Sequence, residues 1–102
     1  MKNYITDYLH LIMKKRLHLT ISGRVQGVFY RDTTKKLAQE LKLTGWVKNL
    51  ANGYVEVVAE GEKEQLNKLL EFCKDGPKEA FVNDIKIEWH EFKKEFKEFE
   101  VL

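Results

Sequence analysis

Cysteine is close to absent: Cys73 stands alone among 102 residues. That excludes an internal disulfide and a cysteine-based metal cluster. The three histidines, His10, His18 and His90, are far apart and show no H-x-x-x-H spacing, so no metal site is predicted. Proline is equally scarce, with Pro77 the single case. No apolar run approaches the ~18 residues of a membrane span, and no membrane partner is expected. The stretch 1–13 is broken by Asp7 and His10 and lacks a small-residue cleavage site, which makes it a poor signal peptide. A cytoplasmic location is the expectation. Excess charge of one sign is missing too: 18 Lys+Arg against 16 Asp+Glu leave a formal +2. That argues against nucleic-acid binding through bulk charge, and leaves room for a local basic pocket.

What is present suits one folded domain. A chain of this length buries roughly two-thirds of its unfolded surface. Hydrophobic residues at 43 % supply a core, and charged residues at 33 % predict a surface dense in ions of both signs.

Hydrophobic periodicity divides the chain. Residues 16–22 alternate, with Leu17, Leu19 and Ile21 on one side, the period of a half-buried strand. After Gly23 comes a loop, and Asp32, Thr33 and Thr34 favour the first turn of a helix that continues through Leu37, Ala38 and Leu41. Residues 44–50 and 54–60 read as strands joined at Asn52-Gly53, a hairpin signal because both residues tolerate positive φ. Leu66, Leu69, Leu70 and Cys73 form one apolar helical stripe, which Gly76-Pro77 stops. Residues 81–89 read as a strand with Phe81, Asn83, Ile85, Ile87 and Trp89 on one face. The tail is double-valued. Trp89, Phe92, Phe96 and Phe99 keep a helical period, while residues 99–102 alternate like a strand. The resulting order, β-α-β-β-α-β, is the α+β ferredoxin-like pattern, with two helices on one face of an antiparallel sheet. Residues 1–14 fall outside it as an N-terminal extension, read either as one or two amphipathic turns carrying Tyr4, Ile5, Tyr8, Leu9 and Ile12, or as a leader ahead of a start at Met13.

The stretch from Gly23 to Arg31, G-R-V-Q-G-V-F-Y-R, lies between a strand and a helix start. A loop there turns several backbone N–H groups inward as an anion site, and the helix N-terminus adds unpaired N–H groups and a positive dipole end. Arg31 adds a planar fork for two phosphate oxygens. The loop lacks both Gly-Lys-Ser/Thr and G-x-G-x-x-G, so a small phosphate compound fits better than a nucleotide. A second element, Gly45-Trp46-Val47-Lys48-Asn49, ends on an amide able to orient a water molecule without titrating. Gln26 is expected to point outward, Thr34 to cap the first helix, His18 to sit on a polar strand face, and Trp46 and Trp89 to pack rather than stack on bases.

These two stretches, followed by Gly53, Val55 and Gly61, resemble the acylphosphatase family over residues 15–102. The resemblance implies a ferredoxin-like sandwich that hydrolyses the carboxyl-phosphate bond of acyl phosphates to a carboxylate and inorganic phosphate. It implies no metal, no cofactor and no phosphoenzyme. It places the phosphate-gripping arginine at Arg31 and the water-orienting asparagine at Asn49, with backbone N–H groups of Val25, Gln26, Gly27, Val28, Phe29 and Tyr30 completing the cradle. It also implies a last strand, here expected from about Phe96 onward. The chain departs from many members in having bulky Phe29 where they carry a small residue, and Ala51-Asn52-Gly53 where they carry Pro-Asp-Gly. A small acyl phosphate is the expected partner of a monomer. The alternative is a non-catalytic anion- or RNA-binding module on the same fold. For the RNA case, the aromatic RNP pattern is not found and the first strand is aliphatic.

Overall fold

A computed structural model describes residues 13–102, so the alternative readings of the first twelve residues lie outside the described residues. Strand β1 (Lys14–Arg24) leads to helix α1 (Tyr30–Glu40), then to β2 (Thr44–Asn49) and β3 (Val55–Glu62). Helix α2 (Lys63–Asp75), β4 (Phe81–Glu91) and the short β5 (Phe99–Val101) follow. The sheet order is β4-β1-β3-β2-β5. Four strands pair antiparallel, and β5 joins β2 in parallel, so the expected β-α-β-β-α-β core stands within a mixed sheet.

The alternation in β1 does what its period dictates. Leu17, Leu19 and Ile21 are fully buried against the helices. Across the ladder they meet Ala59, Val57 and Val55, also fully buried. Helix α1 packs on β2 and β5 and turns Tyr30, Thr34 and Ala38, one residue per turn on one side, into the core. Helix α2 adds the stripe Leu66, Leu69, Leu70 and Cys73. Truncating any of these leucines to alanine costs about 2–5 kcal/mol. Gly45 lets β2 close on β3: a Cβ at its φ of +140° would lie 1.9 Å from the Val58 carbonyl oxygen. The hairpin forms at the expected place, with Leu50 N–H donating to Tyr54 O at 2.8 Å and Asn52 Oδ1 accepting from Tyr54 N–H at 3.0 Å.

Two expectations are corrected. In β4, the register shifts where Ser22 pairs with Asp84 and Gly23 with Val82, leaving Asn83 as a bulge. The extra residue reverses the alternation, so Val82 and Ile85 pack on the core while Phe81 is 67 % exposed. In the tail, the strand begins at Phe99 rather than Phe96. Residues 92–98 are irregular because a buried carboxylate organises them. Glu60, 1 % exposed, accepts from the backbone N–H groups of Lys93 at 2.7 Å and Glu95 at 3.0 Å. Arg16 lies 3.8 Å from the same carboxylate and covers the Phe96 ring. The aromatic residues of the tail therefore serve different surfaces, and their helical spacing has no helix behind it. Among the described residues no helix is long and apolar enough to cross a membrane.

Candidate active site

Val25 and Val28 are buried, at 1 % and 7 % exposure. Their side chains anchor the loop inward and leave the intervening backbone at the surface. Gly27 (φ +73°) and Phe29 (φ +64°) both take the left-handed region, with one residue between them. At Gly27 a Cβ would meet nothing within 4 Å, so the glycine serves the dihedral rather than a close approach. Phe29 adopts the same region without that freedom, and such a conformation persists only where neighbours enforce it. Among the described residues, the N–H groups of Gln26, Gly27, Val28 and Phe29 donate to no partner. Helix α1 starts at once from Phe29, with no side chain capping its first turn. Unpaired amides and the positive helix end converge here.

Arg31 stands in that first turn. Its Nη1 makes one long contact, 3.4 Å, to Leu102 O. Among the described residues no Asp or Glu side chain forms an ion pair with it, so its fork is available to an anion. Asn49 ends β2 on the face it shares with buried Val47. Its Oδ1 is buried and has no hydrogen-bond partner, which is costly for an amide oxygen unless something donates to it. Both side chains line one pocket of about 210 Å³ with Val25, Gly27, Phe29, Tyr30 and Asp32. Cavities of about 330 Å³ and 520 Å³ elsewhere are larger. Neither gathers unpartnered amides beside a free guanidinium.

The pocket thus joins six of the eight residues predicted for the site. Gln26 and Val28 do not line it. Val28 is an anchor. Gln26, expected to point outward, instead turns its side chain to the hairpin, where Nε2 donates to Leu50 O and to Tyr54 O, each at 2.8 Å. Asp32 is the lining residue that sequence reasoning assigned only to helix initiation. Thr34 is buried and donates to Tyr30 O at 2.7 Å within the helix, so it is not a cap. Tyr30 Oη donates to Cys73 O at 2.7 Å. Burial lifts the Tyr30 hydroxyl above its ordinary range and pushes the Cys73 thiol up to about 12, leaving both neutral structural groups. The rings of Trp46 and Trp89 are faced by Lys48 and Lys63 at 4.9 and 5.6 Å, and Trp89, expected to pack, is 38 % exposed. The guanidinium and the unpaired amides make a donor set suited to an anion, and the Asp32 carboxylate in the lining is an acceptor that adds nothing to it.

A ferredoxin-like sandwich whose first strand and first helix are joined by a loop of unpaired amides defines the class. The comparisons narrow it. Residues 17–101 match the Acylphosphatase family model. An acylphosphatase of Marinobacter nauticus is 50 % identical over 84 residues, covering 82 % of this chain and 91 % of that one. The structure of a Coxiella burnetii acylphosphatase superposes with a TM-score of 0.82 at 43 % identity, covering 87 % of this chain and 93 % of that one. The crystal structure of the Bacillus subtilis acylphosphatase gives 0.83 at 33 % identity, covering 86 % and 98 %. The chain belongs to the acylphosphatase family. It is an enzyme of acyl-phosphate hydrolysis.

Proposed function

We propose that the pocket holds the phosphoryl group of a small acyl phosphate and directs water onto its phosphorus without a metal ion. The observation that carries this reading is the buried, unpartnered Asn49 Oδ1 lining the same pocket as Arg31. Arg31 and the amides of residues 25–30 neutralise the non-bridging phosphoryl oxygens, as charge-assisted donors do best in a preorganised site. Asn49 Oδ1 accepts a hydrogen from the attacking water and aims its lone pair in line. The water oxygen bonds to phosphorus as the bond from phosphorus to the acyl oxygen breaks. The carboxylate leaves with the electron pair, and the water protons remain with the inorganic phosphate and solvent.

A carboxylate is a good leaving group, so no strong general acid is needed. This agrees with a pocket in which Tyr30 is held neutral by burial and engaged elsewhere. The cradle is complete within one chain, which supports a monomer. The near-balanced charge of +2 gives no footprint for nucleic acid. A single buried free thiol suits a reducing compartment, and the reading places the enzyme in the cytoplasm.

The test is hydrolysis of benzoyl phosphate in isotopically labelled water with excess chelator. Saturable turnover with the label in inorganic phosphate is expected. Label in benzoate would overturn attack at phosphorus. Phosphate binding without turnover would make the protein an anion-binding module instead.

A further inference from the structure

The helix-free face of the sheet carries a second group of chemistry-bearing side chains that the hydrolysis does not use. His18 on β1 pairs directly with Glu88 on β4. His90 lies two residues along β4 on the same face, two register pairs beyond, opposite Arg16. Donor atoms of His18, Glu88 and His90 all lie within 4.8 Å of one another. His18 Nδ1 is 3.0 Å from Glu88 Oε2, while its Nε2 is 2.7 Å from Glu56 Oε2 on β3.

That double contact needs a hydrogen or a cation between each ring nitrogen and its carboxylate. A neutral imidazole carries hydrogen on one nitrogen only. If Nε2–H donates to Glu56, the Nδ1 lone pair faces a carboxylate oxygen at hydrogen-bond distance. The arrangement is satisfied by a second proton on the ring or by a cation shared between Nδ1 and Glu88. The Glu56 contact has the form of the outer carboxylate that fixes the tautomer of a metal-bound histidine. Ligands about 2.0–2.2 Å from a zinc ion sit roughly 3–3.5 Å from each other, which the Nδ1 to Oε2 separation already approaches. Lys48 partly neutralises Glu56 at 3.6 Å, leaving Glu88 as the anionic ligand.

We propose that His18 Nδ1, Glu88 and His90 form a binding site for a divalent transition metal of the imidazole-preferring class, such as Zn²⁺, with Glu56 orienting His18. Three protein ligands leave room for water in the fourth position. The site lies on the sheet face opposite the helices, separate from Arg31 and Asn49, and clips edge strand β4 to β1.

The experiment is Zn²⁺ titration of the full chain by calorimetry, with the ring resonances of the three histidines followed by NMR. One equivalent is expected to bind, shifting the His18 and His90 signals together, leaving His10 in place and raising Tm. His90→Gln, a change at an exposed position, should weaken binding at least about 10-fold, and Glu56→Gln about 10-fold although it removes no ligand. Zn²⁺ that leaves the His18 and His90 signals unmoved, binding unchanged in His90→Gln, or no saturation below millimolar Zn²⁺ would each overturn the site. Phosphatase turnover enters none of these readouts.

Discussion

The Gln26 amide nitrogen donates to Leu50 O at 2.8 Å. Leu50 follows Asn49, so this bond couples the loop that leads to Arg31 to the strand end that carries Asn49. A second bond to Tyr54 O, also 2.8 Å, locks the hairpin into the same unit. Gln26→Ala should lower stability by about 1–2 kcal/mol through two lost hydrogen bonds. It should lower kcat by up to about 10²-fold, the scale of a misplacement near 1 Å. Gln26→Glu should be worse, since it sets a carboxylate against two carbonyl oxygens. Chemical denaturation and steady-state kinetics check both, and wild-type turnover in Gln26→Ala would deny the coupling.

Asn49 should separate activity from stability. Its buried Oδ1 has no partner in the chain. Asn49→Ala removes that acceptor, so Tm should hold or rise, while turnover falls. A Tm drop of the size expected for a lost core hydrogen bond would instead make Asn49 a structural residue.

Gly45→Ala should prevent normal folding. The added Cβ meets the Val58 carbonyl oxygen at 1.9 Å and Ala59 Cα at 2.9 Å, both backbone, at a φ that alanine disfavours. The loss should exceed about 3 kcal/mol, in the range reserved for severe strain or overpacking. Gly53→Ala provides the contrast, because nothing lies within 4 Å of its Cβ and only the dihedral is strained. Equal unfolding midpoints for the two variants would contradict the packing of β2 on β3.

Alkaline pH should destabilise the fold. Burial raises the Cys73 thiol from 9.0 to about 12 and lifts the Tyr30 hydroxyl as well. Between those values the unfolded thiol has lost a proton that the folded one keeps, so the unfolded state binds fewer protons and stability falls with rising pH. The contribution is intact below about pH 9 and lost progressively toward 12. Urea midpoints across this range should fall for the wild type and fall less steeply for Cys73→Ala. A flat wild-type profile would contradict the burial of the thiol.

Much of the architecture was legible because its signals are local. The alternation of Leu17, Leu19 and Ile21, the stripe ending at Cys73 and the Asn52-Gly53 turn each depend on neighbours in sequence. That Arg31 and Asn49 would meet in one pocket was legible through the two motifs that surround them. What escaped depends on pairing between distant strands. The bulge at Asn83 follows from how β4 meets Gly23, and it turned Phe81 outward. The tail aromatics kept a helical spacing, while Glu60 held their backbone irregular. Gln26 gave no local sign of its reach across 24 residues to Leu50. His18 and His90 looked unrelated because strand register, not spacing, brings them together.

The most direct test of the catalytic account is kcat for benzoyl phosphate in Arg31→Ala and Asn49→Ala, with excess chelator and circular dichroism to confirm folding. Removing one preorganised donor to developing charge costs roughly 10²–10³ in rate, and each folded variant should lose at least that. Arg31→Lys should recover little, since an ammonium cannot reproduce the planar fork. Near-wild-type turnover in a folded Arg31→Ala protein would contradict the account.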